Sequence, residues 1–264
     1  MFTDPASLFG RLLFVGLLIE GLEILKLRHC FEDHGLFSRA TLGILTAGMP
    51  WQSRATATAG ASAAVTIAML GQALAATVVI FDGTGHPAGT IAAIACLLAN
   101  GYLRSRRQIG GSGAEQLSFI VLVTFGLVVV AGGGDGARRL GDGFVAAQVV
   151  LAYLAAGVAK AASPIWRSGR AMAGILSTEG YGIPAFARLL SARPRLDKLL
   201  CWAVISWEIG FPLVLIAPRP VALALLATGV GFHVSCAIVM GLNRFVWAFC
   251  GCYPAVWATA MLLR

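Results

Sequence analysis

Lys160 closes an apolar run that also holds Gln148, Tyr153 and Gly157, and Pro164 and Trp166 follow it. A neutral lysine amine takes a proton from a weakly acidic hydroxyl, so this residue is a candidate base. On one helix, at ~1.5 Å per residue, Gln148 and Lys160 lie about 18 Å apart. Tyr153 and Lys160 are seven residues apart and point nearly the same way, with Gly157 between them. A glycine at that place is expected to leave room beside the amine. An ionisable group at the centre of a membrane helix costs at least ~2.5 kcal/mol, which makes it a functional candidate. The competing reading is a lysine snorkelling to the interface, because the run ends at Ser163 and Pro164.

Other chemistry-bearing residues interrupt apolar runs. Glu208 stands in the middle of one and His233 in the middle of the next. Two readings stand for them: they line the same cavity as Lys160, or they form a buried polar clasp between neighbouring spans. Glu20 and Glu23, three residues apart, share one face of the first apolar run. Cys250 and Cys252 form a Cys-x-Cys pair, a candidate for a reducible disulfide or a soft metal, or two small residues at a helix start. His29, Cys30, Glu32, Asp33 and His34 cluster in sequence but lack the paired spacing of a zinc site, and no metal is expected. The glycine-rich stretch at 132–143 lacks a lysine followed by serine or threonine and is not expected to cradle phosphate.

The elements that position these residues are membrane helices. The chain is 58% hydrophobic and 12% charged with 32 glycines, and a soluble domain carries about twice that share of charge. The expected fold class is all-α: a polytopic bundle of about eight transmembrane helices in a single domain over 1–264, with interfacial amphipathic helices. The spans expected are 8–27, 58–81, 87–104, 115–133, 143–163, 197–217, 219–241 and 245–263, each near the ~20 residues a bilayer needs. The first reads as a retained span rather than a cleaved signal peptide. The connections 28–57 and 164–196 are expected to lie on the membrane as amphipathic helices. The net charge of +8 is spread over short connections, so membrane lipids rather than nucleic acid are the expected partner. Arginines and lysines gather after the odd-numbered spans, as at Arg104, Arg106, Arg107, Arg188, Arg193 and Arg195. This bias puts both termini outside and Lys160 near the cytoplasmic face.

Gln148, Tyr153, Gly157, Lys160, Trp166 and Gly169 form a frame that resembles the vitamin K-dependent γ-carboxylase and the related bacterial HTTM (horizontally transferred transmembrane) proteins. Two further stretches carry the resemblance: Thr3, Asp4, Pro5, Ala6, Ser7 and Leu8 with Phe9 and Arg11, and Phe232 and His233 with Gly241 and Phe245. The resemblance implies an integral membrane enzyme, in a bacterial plasma membrane, that uses a reduced quinone as cofactor. It implies Lys160 as the base. Glu115 or Gln116 holds the place of a histidine that assists the lysine in the carboxylase. Tyr153, Gln148, Gly157, Glu208, His233 and Trp166 are then expected around the ligand cavity. The implied substrate is a small peptide supplied with an accessory protein. The carboxylase's large soluble substrate domain has no room in this length, so γ-carboxylation itself is not expected. The resemblance also places the reactive lysine on the non-cytoplasmic side, opposite to the charge bias. The alternative function is a non-catalytic membrane subunit that binds lipid or assists a partner peptide's folding or export.

Overall fold

The computed structural model describes residues 8–32, 34–45, 62–83, 86–107 and 111–264. Thr3, Asp4, Pro5, Ala6 and Ser7, Asp33 and the start of the expected second span lie outside them. Every regular element among the described residues is helical. Two compact units divide the chain at Gly141 and Asp142.

The N-terminal unit holds α1 (Leu8–Lys26), α2 (Arg39–Leu45), α3 (Ser62–Asp82), α4 (Pro87–Arg106) and α5 (Gly113–Val130). Pro87 starts α4 at a position where the missing N–H costs nothing. Ser112 caps α5 by accepting from the Glu115 backbone N–H at 3.3 Å, and the Glu115 carboxylate sits in the first turn, where the helix dipole favours negative charge. Ile24, Phe31, Val65, Met69 and Leu103 form a buried core cluster that draws α1, α3 and α4 together.

The long helix α6 (Asp135–Ala162) runs through the unit boundary. It ends where the sequence requires: Ser163 precedes a proline and is extended, with φ −76° and ψ 123°. Three short helices follow, α7 (Pro164–Ser168), α8 (Ala171–Leu176) and α9 (Pro184–Ala192). Next come α10 (Pro194–Gly210), a 3-10 segment at Phe211–Leu215 that begins just before Pro212, and α11 (Arg219–Met240). The chain closes with α12 (Asn243–Phe245), a π-helical turn at Val246–Cys250 and α13 (Tyr253–Leu262).

Six helical stretches among the described residues are long and apolar enough to cross a membrane: 63–82, 113–130, 135–162, 194–215, 219–240 and 243–262. The apolar window in α11 has mean hydropathy 2.0, yet only 17% of it is buried inside the protein. Such a surface needs a nonaqueous neighbour, and lipid supplies one. Helices α1 and α4 coincide with two more expected spans but fall short on composition. Arg11, Glu20, Glu23 and Lys26 charge the first, and Asn100, Tyr102 and Arg104 dilute the second. The connection 164–196 is built as the short helices α7 to α9. Leu176, Ala187 and Leu190 are buried there, while Arg167, Arg170, Arg188, Arg193 and Arg195 are exposed. Ile165, Tyr181, Phe186 and Leu189 are exposed among these arginines.

Candidate functional site

The C-terminal unit contains a cavity of about 260 Å³ whose walls come from α6, α7, α8, α10, α11 and the turn before α13. Most of the lining is apolar, including Met172, Ile175, Val204, Phe232, Phe245 and Phe249. Five of the expected residues reach it: Tyr153, Lys160, Trp166, Glu208 and His233. An apolar cleft with a few convergent polar groups is the usual form of a small-molecule site.

Lys160 donates to both carboxylate oxygens of Glu208, at 2.8 Å to Oε1 and 2.7 Å to Oε2. The Glu208 side chain is 4% exposed and that of Lys160 22%. The Lys160 amine also lies 5.3 Å from the centre of the Trp166 ring, within cation–π range. The amine is therefore held inside the protein by α10 and α7 rather than turned out as a snorkelling group.

Gly157 is not where the amine finds its space. A Cβ there would come within 2.8 Å of Ile209 Cγ1 and 2.9 Å of Glu208 Cβ and the Ile209 backbone nitrogen. The missing side chain lets α10 approach α6, and that approach carries the Glu208 carboxylate to Lys160. Gln148 is half-buried on α6 and is not among the cavity's lining residues.

Glu208 and His233 do not clasp each other. The His233 Nε2 lies 2.5 Å from the Tyr153 hydroxyl, and that hydroxyl lies 2.7 Å from the hydroxyl of Tyr253. The three side chains are buried. The imidazole stacks on Phe249, with ring centres 4.6 Å apart and planes 26° apart, and on Phe245 at 6.1 Å. Tyr153 itself is packed by Trp207, Phe211 and Phe249. The π-helical turn that sets Phe249 is a device common near functional sites. No spacing rule marks it in the sequence.

Glu115 and Gln116 belong to the N-terminal unit. There Arg107 holds Glu115 at 3.1 Å and Glu20 at 2.6 Å. Asn100 donates to Glu20 at 3.3 Å and to Gln72 at 3.2 Å, and Gln72 donates to the Leu17 carbonyl at 2.9 Å. Glu20 and Glu115 stood out in the sequence, Gln72 and Asn100 did not, and Arg107 counted there only toward the charge bias. The available signal was an amide in each of two apolar runs. Gln116, next to Glu115 in the first turn of α5, is exposed.

Cys250 and Cys252 are free thiols, both buried. The Cys252 thiol donates to the Ala248 carbonyl at 3.0 Å. Among the described residues, no group of three His, Cys, Asp or Glu side chains is placed to share a metal. Asp33, from the cluster around His29, lies outside those residues. Comparisons of the chain with protein-family models, with curated proteins and with solved structures return no match.

Proposed function

We propose that this chain is an eight-span integral membrane protein of a bacterial plasma membrane, akin to the membrane core of the vitamin K-dependent γ-carboxylase. In this reading it binds a lipid-like or quinone-like molecule in the C-terminal cavity and uses Lys160, paired with Glu208, to accept a proton during modification of a small peptide. The observation that carries the reading is the convergence of Lys160, Glu208, Tyr153 and His233 on one apolar cavity. Lysine loses its proton within reach of ordinary acid–base chemistry, whereas arginine does not, so an amine is the group a base site needs. Glu208 orients the amine, and by taking the ammonium proton across 2.7 Å its carboxylate leaves Lys160 neutral and able to accept one from the ligand. The Trp166 ring face lies 5.3 Å from the amine.

A reduced quinone suits this donor set. Phe232, Phe245 and Phe249 offer faces for a flat ring, and His233, Glu208 and Lys160 offer polar atoms for its oxygens. When bound, such a ring supplies an oxidisable hydroxyl.

A second reading has its own support. Both Glu208 oxygens already hold the amine, as in a closed structural ion pair, which fits a non-catalytic subunit that binds lipid or assists a partner peptide. Lys160→Arg separates the two. Arginine keeps the charge and the bidentate pairing but cannot act as a base. In cells making the protein, loss of the mass change on secreted peptides in Lys160→Arg, at normal abundance, supports the base. Full retention of that change sinks it. Organic extracts of purified protein test the ligand: a lipid-like species held by the wild type and lost from Lys160→Met supports the cavity's role, and identical extracts refute it.

A further inference from the structure

The hydrogen-bond chain behind the cavity determines what its occupant must bring. Tyr253, Tyr153 and a neutral His233 carry three hydrogens between them, and two short contacts join them. One hydrogen is therefore left over from this three-residue relay. Its position follows from acceptor strength and access. Imidazole nitrogen is a better acceptor than a phenol oxygen, so Tyr153 donates to Nε2. The Tyr253 hydroxyl is packed against Gly229, where an added Cβ would strike it, and has no acceptor among the described residues except Tyr153. So Tyr253 donates to Tyr153 and Tyr153 to His233. The imidazole hydrogen then sits on Nδ1. That atom is buried and has no partner among the described residues, while the ring, 2% exposed, lines the cavity. An unmet buried donor costs roughly 1–3 kcal/mol, and a small shift of the ring that opens Nδ1 to the cavity lets an acceptor there recover it.

We propose that His233, locked as the Nδ1–H form by Tyr253 and Tyr153, is the ligand-orienting donor of this cavity, and that the occupant is an apolar molecule presenting a carbonyl-type oxygen to it. This rests on the ligand-pocket reading above and, among the lipid-like and quinone-like occupants that it allows, selects those that carry a carbonyl over a fully reduced ring. The ring stacking on Phe249 and Phe245 holds the donor in one plane, so the oxygen is met in one orientation. Tyr153 is a positioning residue that acts through His233.

The test has two arms. Nitrogen-15 NMR of wild-type protein in nanodiscs reads the tautomer directly, since the chain has only four histidines to assign. A His233 signal from the Nδ1–H form supports the proposal, and an Nε2–H form overturns it whatever the cavity binds. The second arm uses fluorenone and fluorene, which share a ring skeleton and differ by one carbonyl oxygen. Binding is corrected for partition into protein-free nanodiscs. Fluorenone is expected to bind about tenfold tighter, the value of one hydrogen bond in a buried site. His233→Asn keeps a donor near the Nδ1 position and preserves the preference. His233→Gln moves the amide to the Nε2 position and abolishes it. Tyr153→Phe frees the tautomer, so the preference falls about threefold and the spectrum shows a mixture. Equal binding of the two probes, or a preference that survives in His233→Gln because water alone meets the donor, overturns the proposal and leaves the pocket reading standing. Binding of neither probe overturns both.

Discussion

In the N-terminal unit Arg107 grips Glu20 at 2.6 Å and Glu115 at 3.1 Å, while Asn100 and Gln72 tie that cluster to α1, α3 and α4. In the C-terminal unit Lys160 grips one carboxylate, Glu208, and both side chains face a cavity of about 260 Å³. Both sets place charge in apolar helices, but the cations differ in kind. Arginine's planar fork spans two carboxylates and never gives up its proton, so its cluster fastens helices. Lysine offers a point charge that can be neutralised, so its pair can handle a proton. The same burial thus fits cohesion in one unit and, in the function proposed, chemistry in the other.

The contrast breaks first at Arg107. Arg107→Met removes the cation that Glu20 and Glu115 share in low-dielectric surroundings, and removing one partner of a buried pair costs about 3–5 kcal/mol. Unfolding of purified protein in mild detergent is expected to show that loss. A variant as stable as the wild type shows that water already serves the two carboxylates and that the cluster fastens nothing.

Lys160→Met is expected to cost less, about 2 kcal/mol, because the Lys160 side chain is partly exposed and only one carboxylate is stranded. Adding Glu208→Met should return the stability to within about 1 kcal/mol of the wild type, since an apolar pair can replace a buried ionic one. Ligand retention should not return with it. Recovery of both in the double variant shows that the pair is a clasp like the one at Arg107, and the distinction between the units collapses.

Gly157→Ala acts on the same pair from behind. The added Cβ meets the Ile209 backbone, which cannot rotate away, so α6 and α10 must separate. Overpacking of this kind costs about 1–2 kcal/mol and should also lengthen the Lys160–Glu208 contact, read as weaker ligand retention. Its position shows how far the sequence could be read. Lys160, Glu208 and His233 stood out because charge and imidazole are rare in apolar runs, and a helical repeat joined Tyr153 to Lys160. The partners across helices were not legible, because spacing reports neighbours on one helix only. Hence Gly157 read as room for the amine when it is the seat of α10, and Glu208 and His233 read as candidates for one clasp when each holds a different side chain. Gln72 and Asn100 escaped notice, and Arg107 counted only toward the charge bias, for a related reason. Amides look innocuous, and Arg107 at the end of α4 looks like an ordinary loop cation until Glu20 and Glu115 are placed around it.

The smallest expected effect is at Trp166. Its ring lies 5.3 Å from the Lys160 amine, which Glu208 already satisfies, so Trp166→Leu should cost about 0.5–1 kcal/mol of stability. The informative comparison is with Trp166→Phe, which keeps a ring face of weaker quadrupole. If the ring only fills space, both variants retain ligand equally, because each fills the cavity wall with apolar volume. If the ring helps to hold the amine toward the cavity, Phe retains more ligand than Leu, and the order Trp, Phe, Leu follows the strength of the ring's attraction for a cation. That order has no counterpart expected at Arg107, whose two carboxylates fix its fork directly. It would show that the C-terminal cation is held for use as well as for cohesion.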